Sequence, residues 1–183
     1  ELAYELRPVN IGRGEQFTAD FLRISPNNRM PAMVDDETDI SVFESGAILM
    51  YLAEKSQQFM PSEMRARYEV LQWLFWQMGS APYLGGGFGH FYEYAPEKYE
   101  YPINRYTMEV KRQLDVLDRN LSERRYLCGD DYNIADIATS AWYGNQVLND
   151  SYKAGEFLDA ASYKHVVRWA SEIEERPAVQ RGR

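Results

Sequence analysis

The change of rhythm at Phe59-Met60-Pro61 constrains this chain more than any other feature. Before it, short apolar runs alternate with prolines, asparagines and acidic turns. After it, apolar residues recur every three or four positions. A helix gathers i, i+3, i+4 and i+7 on one face and a strand gathers every second residue, so the two rhythms call for different layers. The sequence thus reads as a small α/β unit over residues 1–58 and an all-helical unit over residues 62–183. With 183 residues, 45% of them apolar and 14% aromatic, two small packed domains are within reach.

In the first unit, Tyr4 to Ile11 alternates as a short strand, with Pro8 marking an edge or an irregular end. Gly12-Arg13-Gly14 breaks it. Phe17, Phe21 and Ile24 then recur at helical spacing, which predicts about two turns of helix. Ala32 to Val34 and Ile40 to Phe43 read as strands joined by the acidic turn Asp35 to Asp39. Ile48, Leu49 and Leu52 form one face of a helix that opens at Glu44 and ends near Lys55. In the second unit, helices are predicted over 65–78, 101–121, 133–148 and 163–175. The helix predicted over 101–121 has the clearest 3/4 repeat, in Val110, Leu114, Leu117 and Leu121. No strand signal follows residue 60.

A net charge of -8 argues against a nucleic-acid partner, though it leaves room for a small anion wherever Arg or Lys is placed locally. No run of 18 apolar residues occurs, so no membrane span is expected. The single cysteine, Cys128, cannot form an internal disulfide, which fits a reducing, cytoplasmic setting. In Tyr126-Leu127-Cys128-Gly129 it reads as a small buried hydrophobe rather than a nucleophile. His90 and His165 lie far apart, and no metal set is expected. The sequence opens on Glu1 without an initiator methionine and without a strand-helix pair ahead of Tyr4, so a first strand of the α/β unit is expected to be missing.

Four segments could carry chemistry. Met30-Pro31 precedes a strand: a cis bond there would turn the backbone of Met30 outward to pair with an extended peptide, while a trans bond would be an ordinary strand start. Glu44-Ser45 stands at a helix mouth, where orphan N–H groups favour an anion, Ser45 can donate to a carboxylate and Glu44 can accept from an ammonium; plain capping is the alternative. Asn133-Ile134-Ala135-Asp136 has the spacing of a capping box and reads as structural. Tyr83 to Tyr94 combines four glycines with five aromatics and His90. Its glycines admit a close neighbour or a second subunit and its aromatics wall an apolar pocket, or the segment simply packs.

Taken in order, "EQFTADFLRISPNNRMPAMVD", "SVFESGAILMYLAEK" and "NIADIA" resemble a glutathione transferase over nearly the whole chain. The stretches "WLFWQMGSAPYLGGGFGHFYEYAP" and "INRYTMEVKRQLDVLDRNL" are similar to the bacterial nu-class-like branch. That resemblance implies a thioredoxin-like N-terminal domain followed by an all-helical C-terminal domain, glutathione as co-substrate, and a homodimer. It implies a glutathione-dependent disulfide-bond reductase with some peroxidase activity, acting on a small disulfide, hydroperoxide or electrophile. Conjugation of glutathione to electrophiles and a non-catalytic dimerisation module are the alternatives. It further implies that Met30 pairs with the cysteinyl unit of glutathione, that Glu44 and Ser45 hold the γ-glutamyl end, that Gln16 and Arg29 reach the glycyl end, and that Arg105 reaches the ligand from the helical domain. Two departures accompany it. The loop that usually supplies the thiol-activating Thr and Asn falls ahead of residue 1, so no catalytic residue is assigned. The turn Asp35 to Asp39 is also shorter than is usual for the branch.

Overall fold

A computed structural model describes residues 2–182. The chain forms two compact units, one running to Met60 and the other beginning at Pro61. In the first, a turn of 3-10 helix at Ile11–Arg13 and another at Glu15–Phe17 lead into helix α1 (Ala19–Ile24). Thr18 caps α1 by accepting from the Phe21 N–H. Strands β1 (Ala32–Asp35) and β2 (Ile40–Phe43) follow as an antiparallel hairpin in which Ala32 faces Phe43 and Asp35 faces Ile40. Helix α2 (Ser45–Ser56) closes the unit, and Gln57 ends it in the left-handed region.

The strand expected over Tyr4 to Ile11 is not present: residues 2–10 have no regular secondary structure. Alternation makes a strand only when a neighbour completes the ladder and covers one face. Here Tyr4 and Leu6 stay 86% and 80% exposed, so the alternation buries nothing. What holds this unit together is partly polar. The Asp35 carboxylate, at the end of β1, accepts from the Tyr51 hydroxyl (2.6 Å) and from Lys55 Nζ (2.5 Å), both on α2, and from the Glu37 N–H (3.0 Å). Lys55 also donates to Glu37 (2.6 Å). These bonds fasten the hairpin turn to α2.

The Lys55 bond, then the Tyr51 bond, hold the Asp35 carboxyl well below its usual range, at about 2. An acid lowered by folding contributes stability that is complete above its unfolded value, about 4, and is lost as pH falls towards 2. Lys55→Met is therefore expected to weaken this unit at neutral pH and to flatten its further loss between pH 4 and 2. Amide exchange along α2, followed against pH in both proteins, checks this.

The second unit is helical, and among the described residues it has no strand, only an isolated bridge between Tyr126 and Gly129. Its helices are α3 (Met64–Pro82), α4 (Glu100–Leu121), α5 (Ile134–Thr139), α6 (Asn145–Leu148), α7 (Gly155–Leu158), α8 (Lys164–Glu174) and α9 (Pro177–Arg181). The 3/4 repeat of α4 is its buried face: Val110, Leu114, Leu117 and Leu121 are all buried. They share the core with Leu74, Phe88, Ile134, Tyr143, Trp169 and Ile173. The start of α8 is capped from another helix, because Asp118 Oδ1 on α4 accepts from the His165 N–H (2.8 Å) and the Val166 N–H (3.1 Å). Arg168 returns the favour by donating to the last carbonyls of α4 and those just beyond, on Leu121, Arg124 and Arg125.

Two helical stretches differ from their sequence patterns. The helix expected over 133–148 is interrupted by a π-helical turn at Ser140–Gly144. The helix expected over 65–78 continues to Pro82 and then runs on as a π-helix through Tyr83–Tyr94. Glycine disfavours helix interiors by about 1 kcal/mol each, which hides such a segment from propensity. Packing supplies the compensation. The backbones of Gly85, Gly87 and Gly89 lie against the rings of Trp142, Tyr106 and Tyr152, close enough to leave no room for a Cβ. The close neighbours that the glycines admit are thus rings of this same unit.

Candidate functional site

The hairpin register brings two of the sequence motifs together. Because Ala32 faces Phe43 as the last pair of the ladder, Met30-Pro31 and Glu44-Ser45 flank the same open end. The Met30–Pro31 bond is cis. The approach to it is pinned by Ser25, a buried residue whose hydroxyl donates to the Arg29 carbonyl (2.8 Å). Asn28, in the left-handed region, completes that turn by donating its N–H to the Ser25 carbonyl (3.1 Å).

On the facing side, Glu44 has φ 72° and ψ 120°, an unusual backbone for a residue other than glycine. It is the N-cap of α2, yet its exposed side chain makes no capping bond. Other helices here are capped differently: Glu63 accepts from two backbone N–H groups of α3, and Asn133 accepts from one of α5. The exposed Glu44 carboxylate is thus not spent on capping the helix whose mouth it marks. A twelve-residue helix carries partial positive charge at that mouth, so a carboxylate is favoured there and an ammonium is favoured beside Glu44. The donor set fits the zwitterionic end of a small peptide.

The remaining expected residues are placed as follows. Gln16 lies in the 3-10 turn before α1, half-buried, with Oε1 buried and without a hydrogen-bond partner. Arg29 is exposed in the loop before Met30. Arg105 lies on α4 in the helical unit, its side chain 54% exposed. The structure joins Met30, Glu44 and Ser45 through one hairpin; Gln16 and Arg29 belong to the same unit and Arg105 to the other. Glu109, one helical turn after Arg105, escaped the sequence reading although the spacing Arg105-Glu109-Arg112 offered a signal.

Cys128 is half-buried, and burial pushes its thiol up to about 12. A thiol in that state is a poor nucleophile. Among the described residues no group of three or more His, Cys, Asp or Glu could hold a metal ion. No described helix is long and apolar enough to cross a membrane.

Residues 1–54 match the glutathione S-transferase N-terminal domain, and residues 90–177 match the glutathione S-transferase C-terminal domain. The chain belongs to the glutathione S-transferase family. Its fold is the family's: a thioredoxin-like N-terminal domain, here with a two-stranded sheet, and a helical C-terminal domain. It is 56% identical to the Escherichia coli K12 protein named disulfide-bond oxidoreductase YghU, over 98% of this chain and 63% of that protein. The chain thus spans somewhat less than two thirds of that relative's length. A crystal structure of glutathione transferase YghU from Streptococcus pneumoniae, complexed with glutathione, superposes with a TM-score of 0.93 at 55% identity, covering 98% of this chain and 70% of that one. A Pseudomonas putida glutathione transferase, with one glutathione disulfide bound per subunit, gives 0.91 at 41% identity, covering 99% and 80%.

Proposed function

We propose that this protein is a glutathione-dependent disulfide-bond reductase in which glutathione, bound as thiolate, is the nucleophile. The single observation that carries this reading is the likeness, at 56% identity, to a protein named disulfide-bond oxidoreductase. The bound thiolate attacks one sulfur of a disulfide, forming a mixed disulfide and releasing a thiolate. A second glutathione thiolate attacks the mixed species, yielding oxidised glutathione and the second thiolate. Two electrons pass from two glutathiones to the substrate, and no protein cysteine cycles. The same pair of glutathiones reduces a hydroperoxide to an alcohol and water.

In this reading the Met30 backbone pairs with the cysteinyl unit, and Glu44 and Ser45 hold the γ-glutamyl end. Gln16 and Arg29 reach the glycyl end, and Arg105 contributes from the helical domain. The arginines give a protein of net charge -8 the local positive charge that an anion needs. Glu44→Ala and Arg105→Ala are each expected to weaken glutathione binding by about 1–3 kcal/mol, the cost of losing a charged hydrogen bond. Calorimetry on the full-length protein reads this; unchanged affinity in both places the site elsewhere.

Glutathione-coupled reduction of bis(2-hydroxyethyl) disulfide is the direct assay. Cys128→Ser is expected to keep full turnover, since a thiol raised to about 12 by burial takes no part. Loss of most activity in that variant overturns the mechanism, and turnover with chlorodinitrobenzene but with no disulfide replaces it with conjugation. We further propose a homodimer. Met64, Tyr68 and Phe75 stand on one face of α3, 74%, 61% and 65% exposed, and this apolar stripe supports a covering second subunit. Light scattering at the mass of one subunit would refute it.

A further inference from the structure

The surface of α4 carries Arg105 and Arg112 with Glu109 between them. Both guanidinium side chains are 54% exposed, whereas the Glu109 side chain is only 15% exposed. Glu109 is fixed from behind and from one side. Its Oε1 accepts from Gln113 Nε2 (3.0 Å), and Gln113, fully buried, accepts in turn from the buried Tyr143 hydroxyl (2.8 Å). Arg112 donates to the same oxygen through Nη2 (2.6 Å) and Nε (3.1 Å), and its Nε also reaches Oε2 (3.2 Å). Hydrogen bonding to Arg112 comes first among the causes that hold the Glu109 carboxyl below its usual range.

Arg105 is treated differently. Its Nη1 stands 3.9 Å from Glu109 Oε2, near enough for Coulomb attraction and too far for a hydrogen bond. Among the described residues it pairs with no other carboxylate and makes no side-chain hydrogen bond. Its donors are therefore uncommitted while its charge is drawn to one place. A carboxylate can then take two parallel N–H bonds from Arg105 without first breaking any. Arg112, already bound to Glu109, lacks that freedom.

We infer that Glu109 is a positioning residue for Arg105. The chain Tyr143–Gln113–Glu109 roots a carboxylate in the helical core, and that carboxylate holds Arg105 ready for the glutathione carboxylate. The inference rests on the reading that Arg105 binds glutathione. It also has a sign that a simple charge effect does not share. If Glu109 merely weakened the local positive field, removing its charge would tighten anion binding. If Glu109 positions Arg105, removing its charge loosens binding.

The test is steady-state kinetics of the full-length enzyme with glutathione and bis(2-hydroxyethyl) disulfide. Glu109→Gln is expected to raise the glutathione KM about fivefold and to leave kcat within about twofold, the signature of binding lost equally from the ground and transition states. In an Arg105→Ala background the same substitution is expected to change KM no further, because the coupling runs through Arg105. A KM that is lowered or unchanged in Glu109→Gln, while Arg105→Ala raises it, overturns the inference and leaves the site reading intact. An equal rise with and without Arg105 also overturns it. If Arg105→Ala has no effect, the placement of Arg105 on glutathione fails, and the role of Glu109 falls with it. Should Glu109→Gln not fold, Tyr143→Phe, which deletes one buried hydroxyl, decides: a raised KM supports the chain and an unchanged KM overturns it.

Discussion

Asp136→Ala is expected to remove about 3–5 kcal/mol of folding free energy, a large share of the 5–15 kcal/mol that a domain typically has. Asp136 is fully buried at the start of α5. Its Oδ1 accepts from the Leu127 N–H (3.0 Å) and from the Trp169 indole (2.8 Å), and its Oδ2 accepts from the Asn133 N–H (3.2 Å). One carboxylate thus ties together the segment after α4, the capping box of α5, and the middle of α8. Alanine would leave three buried donors without acceptors, each a penalty of about 1–3 kcal/mol before relaxation. Urea unfolding of the full-length protein, followed by tryptophan fluorescence, measures the loss. A loss under about 1 kcal/mol would mean that the three donors find other partners.

The same group sets a pH dependence opposite in sign to that of Asp35. Burial pushes the Asp136 carboxyl up to about 6, against its three N–H donors. An acid raised by folding contributes stability that is complete below its unfolded value of about 4 and is lost as pH rises through its folded value. Wild-type protein is therefore expected to weaken between pH 4 and 6 through this residue. Asp136→Asn, with nothing to titrate, lacks that component.

Asp136 also shows where a sequence stops being legible. Its bond to the Asn133 N–H spans three residues, so the capping box could be read from Asn133-Ile134-Ala135-Asp136 alone. Its bond to Trp169 spans 33 residues and belongs to the packing of α5 against α8, which no local pattern records. The same divide runs through the site. Met30 and Glu44 stand in the sequence as separate motifs, one at a strand start and one at a helix mouth, joined only by what the family resemblance implies; the register that sets them at one end of a hairpin is a property of the ladder. Glu109 escaped because its role depends on Gln113 and Tyr143, and Tyr143 lies 30 residues beyond Gln113. The strand expected at Tyr4 to Ile11 failed for the converse reason. Alternation is a local signal, but a ladder is a non-local fact.

The π-helix over Tyr83–Tyr94 supplies the second large effect. Gly87→Val is expected to cost about 3 kcal/mol, because overpacking a closed contact costs that much when the neighbour cannot move aside. A Cβ on Gly87 would come within 2.5 Å of two atoms of the Tyr106 ring. That ring is itself stacked on Phe91, with centroids 5.8 Å apart and planes 12° from parallel. It cannot tilt away without breaking the stack. Gly86 provides the control, since a Cβ there meets nothing within 4 Å. Gly86→Ala should gain from helix propensity, up to about 1 kcal/mol, with no clash to offset it. Opposite shifts in thermal unfolding from adjacent glycines would separate packing from propensity. The consequence should also reach the ligand. Tyr106 follows Arg105 directly on α4, so a ring forced off Gly87 displaces the backbone that carries the proposed glutathione-binding arginine. Gly87→Val is therefore expected to raise the glutathione KM as well as lower stability, and Gly86→Ala to leave KM alone. A Gly87→Val protein of full stability and unchanged KM would mean that Tyr106 does not fix the start of α4.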